Sequence, residues 1–196
     1  MSIFRLVLVA FFLTGCSVPQ ILPSTQSLSG SDGKIVVIGK LELDPPLNET
    51  LEQKTHWVNW GDDRIVNKVF VATNSEANPA LSEHMYSSDW YATIEASWGI
   101  PFMIEAPRQP MTWFNGAVTY LDAKLQDRLW FPGGLFFDVP ENTNVIYIGT
   151  LRYKRDDFNN IVQVEVIDEY RETMEYLGLN GSENHNVAIS LLKSIR

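Results

Sequence analysis

Cysteine is all but missing from this 196-residue chain, with Cys16 its single instance. That excludes an intrachain disulfide and a cysteine-built zinc cage. Positive charge is scarce too: 15 Lys and Arg stand against 24 Asp and Glu, for a formal charge of −9. A chain so balanced has no basic footprint to neutralise phosphates, so nucleic acid is not an expected partner. The three histidines, His56, His84 and His185, show no His-x-x-x-His or His-Glu-x-x-His spacing, so neither a metal site nor a cofactor is expected. Gly-x-Ser-x-Gly is absent, and Gly133-Gly134 lacks the Lys-Ser or Lys-Thr of a phosphate loop. The apolar run Leu6 to Leu13 is eight residues long, whereas a permanent membrane helix needs about 20. What is present is 45% hydrophobic and 20% charged, the composition of one globular domain with a tail.

Arg5 and the amino terminus place positive charge ahead of that short apolar run. Leu13-Thr14-Gly15-Cys16 follows: an aliphatic residue, two small ones, then the lone thiol. Small residues fit a narrow protease cleft, and a thiol is the nucleophile that takes up lipid. These first 16 residues resemble the signal peptide and lipobox of bacterial lipoproteins. The resemblance implies that residues 1–15 are removed and that Cys16 carries the acyl chains, palmitate among them. Ser17 stands where Asp would imply retention in the inner membrane; it implies the outer membrane, with the domain facing the periplasm. Several acyl chains on one residue anchor stably where one is marginal.

Residues 17–33 are rich in Ser, Pro, Gln and Gly and carry one charge, Asp32. With the lipidated Cys16 they read as a tether over 16–33, and the folded domain as 34–196. Strand patterns begin at Ile35–Leu43, whose second half alternates Leu41 and Leu43 against Lys40 and Glu42. Further strands are expected at Val66–Thr73, Trp90–Trp98, Phe102–Glu105, Leu135–Val139, Val145–Tyr153 and Ile161–Ile167, the last with Val162, Val164 and Val166 inward. Asn115-Gly116 predicts a tight hairpin turn between Met111–Phe114 and Ala117–Leu121. Pro132-Gly133-Gly134 predicts another turn. Tyr170, Thr173, Met174 and Leu177 share a helical face, with Asp168 placed to cap the start and Gly178 to end it. Val187, Ala188, Leu191, Leu192 and Ile195 fit a short helix, whereas Val187, Ile189 and Leu191 fit a strand. The expected fold is mainly β: a two-layer antiparallel β-sandwich of about eight short strands, with a short helix near the C-terminus. Phe136–Val139, a turn, and Val145–Gly149 loosely resemble the closing hairpin of transthyretin-like sandwiches in uncharacterised bacterial lipoproteins. That resemblance implies a fold and carries no catalytic residue.

Chemistry is sparse. Asp62-Asp63, Asp156-Asp157 and the pair Glu95 and Glu105 are acids of the type that hydrolases use, and Phe102-Met103-Ile104 gives Glu105 apolar neighbours that favour its protonated form. Asp156-Asp157-Phe158-Asn159-Asn160 lacks the central Gly and distal Glu of a calcium loop and reads as an exposed hairpin loop. Aromatics are plentiful, at six Trp, seven Tyr and ten Phe. Trp90, Trp98, Trp113 and Trp130 read as core. Trp57 and Trp60, three apart, are candidates for stacking on sugar faces or for an interface. No catalytic residue is expected. The reading is a non-catalytic binding or assembly module, joined to the membrane through lipid on Cys16, with an envelope protein or glycan as partner. A glycan-binding module using Trp57 and Trp60, or a hydrolase built around Glu105, is the alternative.

Overall fold

A computed structural model describes residues 28, 33–48, 68–74, 92–121, 128–179 and 186–194. They form ten strands and one helix, arranged as two packed sheets with the helix on the outer face of one. The strands in chain order are β1 (Lys34–Asp44), β2 (Lys68–Asn74), β3 (Ala92–Ser97), β4 (Phe102–Pro107), β5 (Met111–Tyr120), β6 (Arg128–Asp138), β7 (Val145–Arg155), β8 (Ile161–Ile167), β9 (Val187–Ile189) and β10 (Lys193–Ser194), with helix α1 (Tyr170–Tyr176) between β8 and β9. The mainly β sandwich with a short C-terminal helix expected from the sequence is observed.

The first sheet runs β4-β1-β7-β8, with β9 also pairing β7. Its centre, β1 on β7, is parallel, as is β9 on β7; the remaining pairs are antiparallel. A parallel centre is buried on both faces and reads as a continuous apolar run. Ile35 to Ile38 fits that rule: Ile35 and Val37 enter the core between the sheets, while Val36 and Ile38 enter a second core outside. Further along, Leu41 and Leu43 stay inside and Lys40 and Glu42 face out, as the alternation predicts.

The second sheet runs β10-β6-β5-β2-β3. Here two expectations are corrected. Asn115-Gly116 is not a hairpin turn, because β5 continues through it; Pro132-Gly133-Gly134 is not a turn either, because β6 continues through it. The two motifs lie against each other. Phe114 pairs with Leu135 and Gly116 with Pro132, so Asn115 opposes both Gly133 and Gly134. On the other side, Phe114 and Gly116 pair with the adjacent residues Thr73 and Ala72 of β2. Each strand thus carries one more residue than the last at this level, and the bulges fan the sheet. A Cβ on Gly133 would lie 2.0 Å from the Asn115 carbonyl carbon, which is why that position holds glycine.

Two more differences concern strand partners. The Phe136–Gly149 segment does not make a hairpin: β6 lies in the second sheet and β7 in the first, and residues 139–144 cross between them. In β8, Val166 packs on the core, but Val162 and Val164 are 65% and 37% exposed. Arg155 pairs with Ile161 and Lys154 with Gln163, so Val162 is bulged out of the ladder, and β8 lies at the end of the strand order.

The outer layer closes with α1. Met174 and Leu177 meet Val36, Ile38, Met103, Val145 and Tyr147. Glu169, not Asp168, occupies the N-cap position, and Asp168 instead accepts the Tyr170 N–H at 3.1 Å. Glu169 is drawn away from capping by the cations of the sheet below, described next. At the other end Gly178 adopts φ 70°, its N–H reaches the Glu175 carbonyl and that of Leu179 reaches Met174. That left-handed closure satisfies two terminal carbonyls and ends the helix where expected. The ambiguous C-terminal segment resolves into β9 and β10.

Candidate functional site

The densest polar cluster among the described residues lies on the outer face of the first sheet, beside the start of α1. Register puts its members on three rungs across β1, β7 and β8: Lys40, Thr150 and Ile167; Glu42, Arg152 and Glu165; Asp44, Lys154 and Gln163. Lys40 Nζ lies 2.7 Å from Glu42 Oε1 and 2.6 Å from Glu169 Oε2. Arg152 donates from Nε to Glu42 Oε2 at 2.8 Å, and its Nη2 lies 3.9 Å from Glu169 Oε1. Thr150 Oγ1 donates to Glu169 Oε2 at 2.7 Å. On the β8 side, Lys154 Nζ and Gln163 Nε2 both donate to Glu165 Oε1 at 2.8 Å.

The pKa directions say what this cluster can do. Burial pushes the Glu169 carboxyl up, but hydrogen bonds from Lys40 and Thr150 outweigh it and hold the group below the usual carboxylate value. Burial likewise pulls Lys40 down, and its bonds to Glu169 and Glu42 reverse that and raise it. The Glu42 hydrogen bond raises Arg152 further. These three groups therefore stay ionised through neutral pH. A general acid or base works best with a pKa near the operating pH. The cluster is suited to fixing α1 on the sheet, not to proton transfer. The Tyr147 hydroxyl beneath it, pushed up by burial, accepts the Glu169 N–H at 2.9 Å and ties the same corner together.

A second constellation joins the sheets. Tyr153 of β7 is fully buried, and burial raises its phenol well above the ordinary value. Its ring meets Phe131 and Trp98, with centroids 5.0 and 6.4 Å away. Trp98 Nε1 donates to Thr119 Oγ1 at 3.2 Å, and Thr119 in turn donates to the Lys68 carbonyl. Below this cluster the buried Arg155 spreads its guanidinium over the Pro45 and Pro46 carbonyls, each at 2.9 Å, and over Asn159 Oδ1. It clamps the end of β1 to the β7–β8 hairpin.

The residues singled out in the sequence distribute as follows. Cys16, Trp57 and Trp60 lie outside the described residues, as do Trp90, Asp62, Asp63, His56, His84 and His185. Glu105 is not in an apolar setting: it lies 3.1 Å from Lys34, the two side chains 31% and 50% exposed. The alternation of β4 sends Phe102 and Ile104 into the core and leaves Glu105 on the outer face. Trp98 packs on the core as expected, but Trp130 does not: Phe131 beside it takes the inward position, and Trp130 is half-buried with the Arg128 guanidinium 5.0 Å above its ring. Trp113 on β5 is the cross-strand register partner of Phe136 on β6. Asp156 closes the β7–β8 loop, accepting the N–H of Phe158 and of Asn160 at 2.9 Å. Hydrogen bonding from the Asn160 side chain, then its backbone, lowers that carboxyl. The loop is the exposed hairpin loop the sequence suggested. Among the described residues no group of three His, Cys, Asp or Glu is placed to hold a metal ion.

Sequence reading missed the ionic cluster. Lys40 and Glu42 were legible as an outward face, but Arg152 is 110 residues from Glu42 in the chain. Only the parallel pairing of β1 with β7 brings them together. No family model, curated protein or solved structure matches this chain.

Proposed function

We propose that this chain is a lipid-anchored envelope protein, held at the outer membrane through Cys16, that presents a non-catalytic β-sandwich to the periplasm as a binding or assembly module. The observation that carries the reading is Leu13-Thr14-Gly15-Cys16 behind Arg5 and a short apolar run. The chemistry of the described surface supports it: in its densest polar cluster Lys40, Arg152 and Glu169 are held in their charged forms by ion pairing. The test is fractionation with intact-mass measurement. The wild-type protein is expected in the membrane fraction, starting at Cys16 and carrying acyl mass; Cys16→Ser is expected to lose that mass and leave the membrane. Equal attachment of Cys16→Ser overturns the reading.

A glycan ligand is the second reading, carried by Trp57 and Trp60 three residues apart. Stacking on sugar rings is expected to change tryptophan fluorescence on titration with peptidoglycan fragments, and Trp57→Ala is expected to abolish that change. A folded protein that gives no response rules it out.

A further inference from the structure

We propose that β8 is a self-association strand: two copies of this chain pair antiparallel, edge to edge, about a two-fold axis at Val164. In its sheet β8 ends the path β4-β1-β7-β8, and β7 is its ladder neighbour among the described residues. Val162 and Val164 are exposed apolar side chains of this strand, 65% and 37% accessible. Natural edge strands are blunted by charge, proline, a bulge or a cover, and in β8 the bulge touches only the Val162 end. Ile161–Ile167 contains neither lysine nor proline.

The sequence of the strand says what fits it. Ile161-Val162-Gln163-Val164-Glu165-Val166-Ile167 reads the same in both directions except that Gln and Glu exchange places. A two-fold contact requires that if residue i faces j, then j faces i. About Val164, Val162 faces Val166 and Gln163 faces Glu165; Ile161, which the bulge turns toward the core, and Ile167, on the outer face, make no pair. One β-branched pair and one amide-to-carboxylate pair are thus made twice, and no like charges are opposed. An unrelated extended peptide would fill the same edge, but nothing would demand the palindrome.

The outer face extends the argument. The rung Glu42–Arg152–Glu165 alternates acid, base, acid across three strands. In the paired form it continues into Gln163, Lys154 and Asp44 of the second copy, so a neutral amide donor and not a second acid meets Glu165 across the axis. The Val162 bulge keeps the contact to a few rungs. That falls well short of the roughly 800 Å² per partner of a standard interface, so association is weak and concentration-dependent.

The test uses the full chain. Val164 alone meets its own copy, so Val164→Cys is expected to form a disulfide-linked dimer on mild oxidation, where the wild type and Ile100→Cys, exposed at the β3–β4 turn, do not. Sedimentation of the wild type is expected to show a monomer–dimer equilibrium. Gln163→Glu sets acid against acid at two symmetric positions and is expected to weaken it by about tenfold. The double exchange Gln163→Glu, Glu165→Gln restores the complement and is expected to restore the dimer, which separates a lost contact from a damaged fold. A wild type that is monomeric at every concentration, a Val164→Cys protein no more cross-linked than Ile100→Cys, or a dimer indifferent to Gln163→Glu each overturns the proposal. Every protein in the cross-linking experiment, the wild-type control included, carries Cys16→Ser, so that an introduced cysteine is the sole thiol.

Discussion

The Tyr153 hydroxyl on β7 donates to the Pro132 carbonyl on β6, 3.1 Å away, and so bridges the two sheets through the core. Pro132 sits where β6 bulges, and the ring of Tyr153 rests on Phe131, its chain neighbour. The bulge and the inter-sheet bond therefore occupy one place.

Tyr153→Phe removes that bond and keeps the ring. It is expected to cost about 1 kcal/mol, the net worth of a neutral hydrogen bond, whereas Tyr153→Ala is expected to cost roughly 3–5 kcal/mol because it also opens a cavity between the sheets. Urea midpoints of the two variants measure the difference. Equal losses would mean that the hydroxyl, not the ring, carries the contact.

The paired bulges make Gly133 intolerant. A methyl group there overlaps backbone, which has nowhere to go without breaking the β5–β6 ladder. Gly133→Ala is expected to destabilise by more than about 3 kcal/mol. Gly178→Ala, with open space around it and φ 70°, meets only the left-handed penalty of about 1–2 kcal/mol. Thermal melts of both variants rank them; the reverse order would contradict the nested-bulge geometry.

The corner beneath α1 is expected to be sensitive to pH at both ends. Glu169 is lowered on folding, so its contribution is complete above the ordinary value of 4.5 and is lost as pH falls through the lower folded value. Lys40 is raised, so its contribution is complete below the ordinary value of 10.5 and is lost as pH rises through the higher folded value. Stability measured against pH is therefore expected to be less acid-sensitive in Glu169→Gln, with Lys40→Met flattening the alkaline side. An acid limb unchanged in Glu169→Gln would assign that limb to other carboxylates.

Met174 anchors α1 in the outer core. Met174→Ala is expected to cost about 2–4 kcal/mol, and Tyr176→Ala, on the exposed face, less than about 0.5 kcal/mol. Hydrogen exchange of α1 amides reads both: faster exchange in the first variant and none of consequence in the second.

The sequence by itself determined where most strands lie, which face of Lys40–Leu43 and of Ile94–Trp98 turns inward, and where the helix stops. Each of these rests on a local period or on one residue's backbone preference, as Gly178 shows. It also carries Leu13-Thr14-Gly15-Cys16, the linear pattern on which the proposed lipid anchoring rests and which needs no fold to be read. Tertiary structure alone decided the rest. Asn115-Gly116 and Pro132-Gly133-Gly134 supply backbone freedom, but freedom serves a turn and a bulge equally, and the neighbouring strand chooses between them. The edge position of β8, and with it the exposure of Val162, follows from sheet order, which no local pattern encodes. The ionic corner of Lys40, Glu42, Arg152 and Glu169 exists because a parallel pairing joins distant segments, and burial there makes each charge depend on the others.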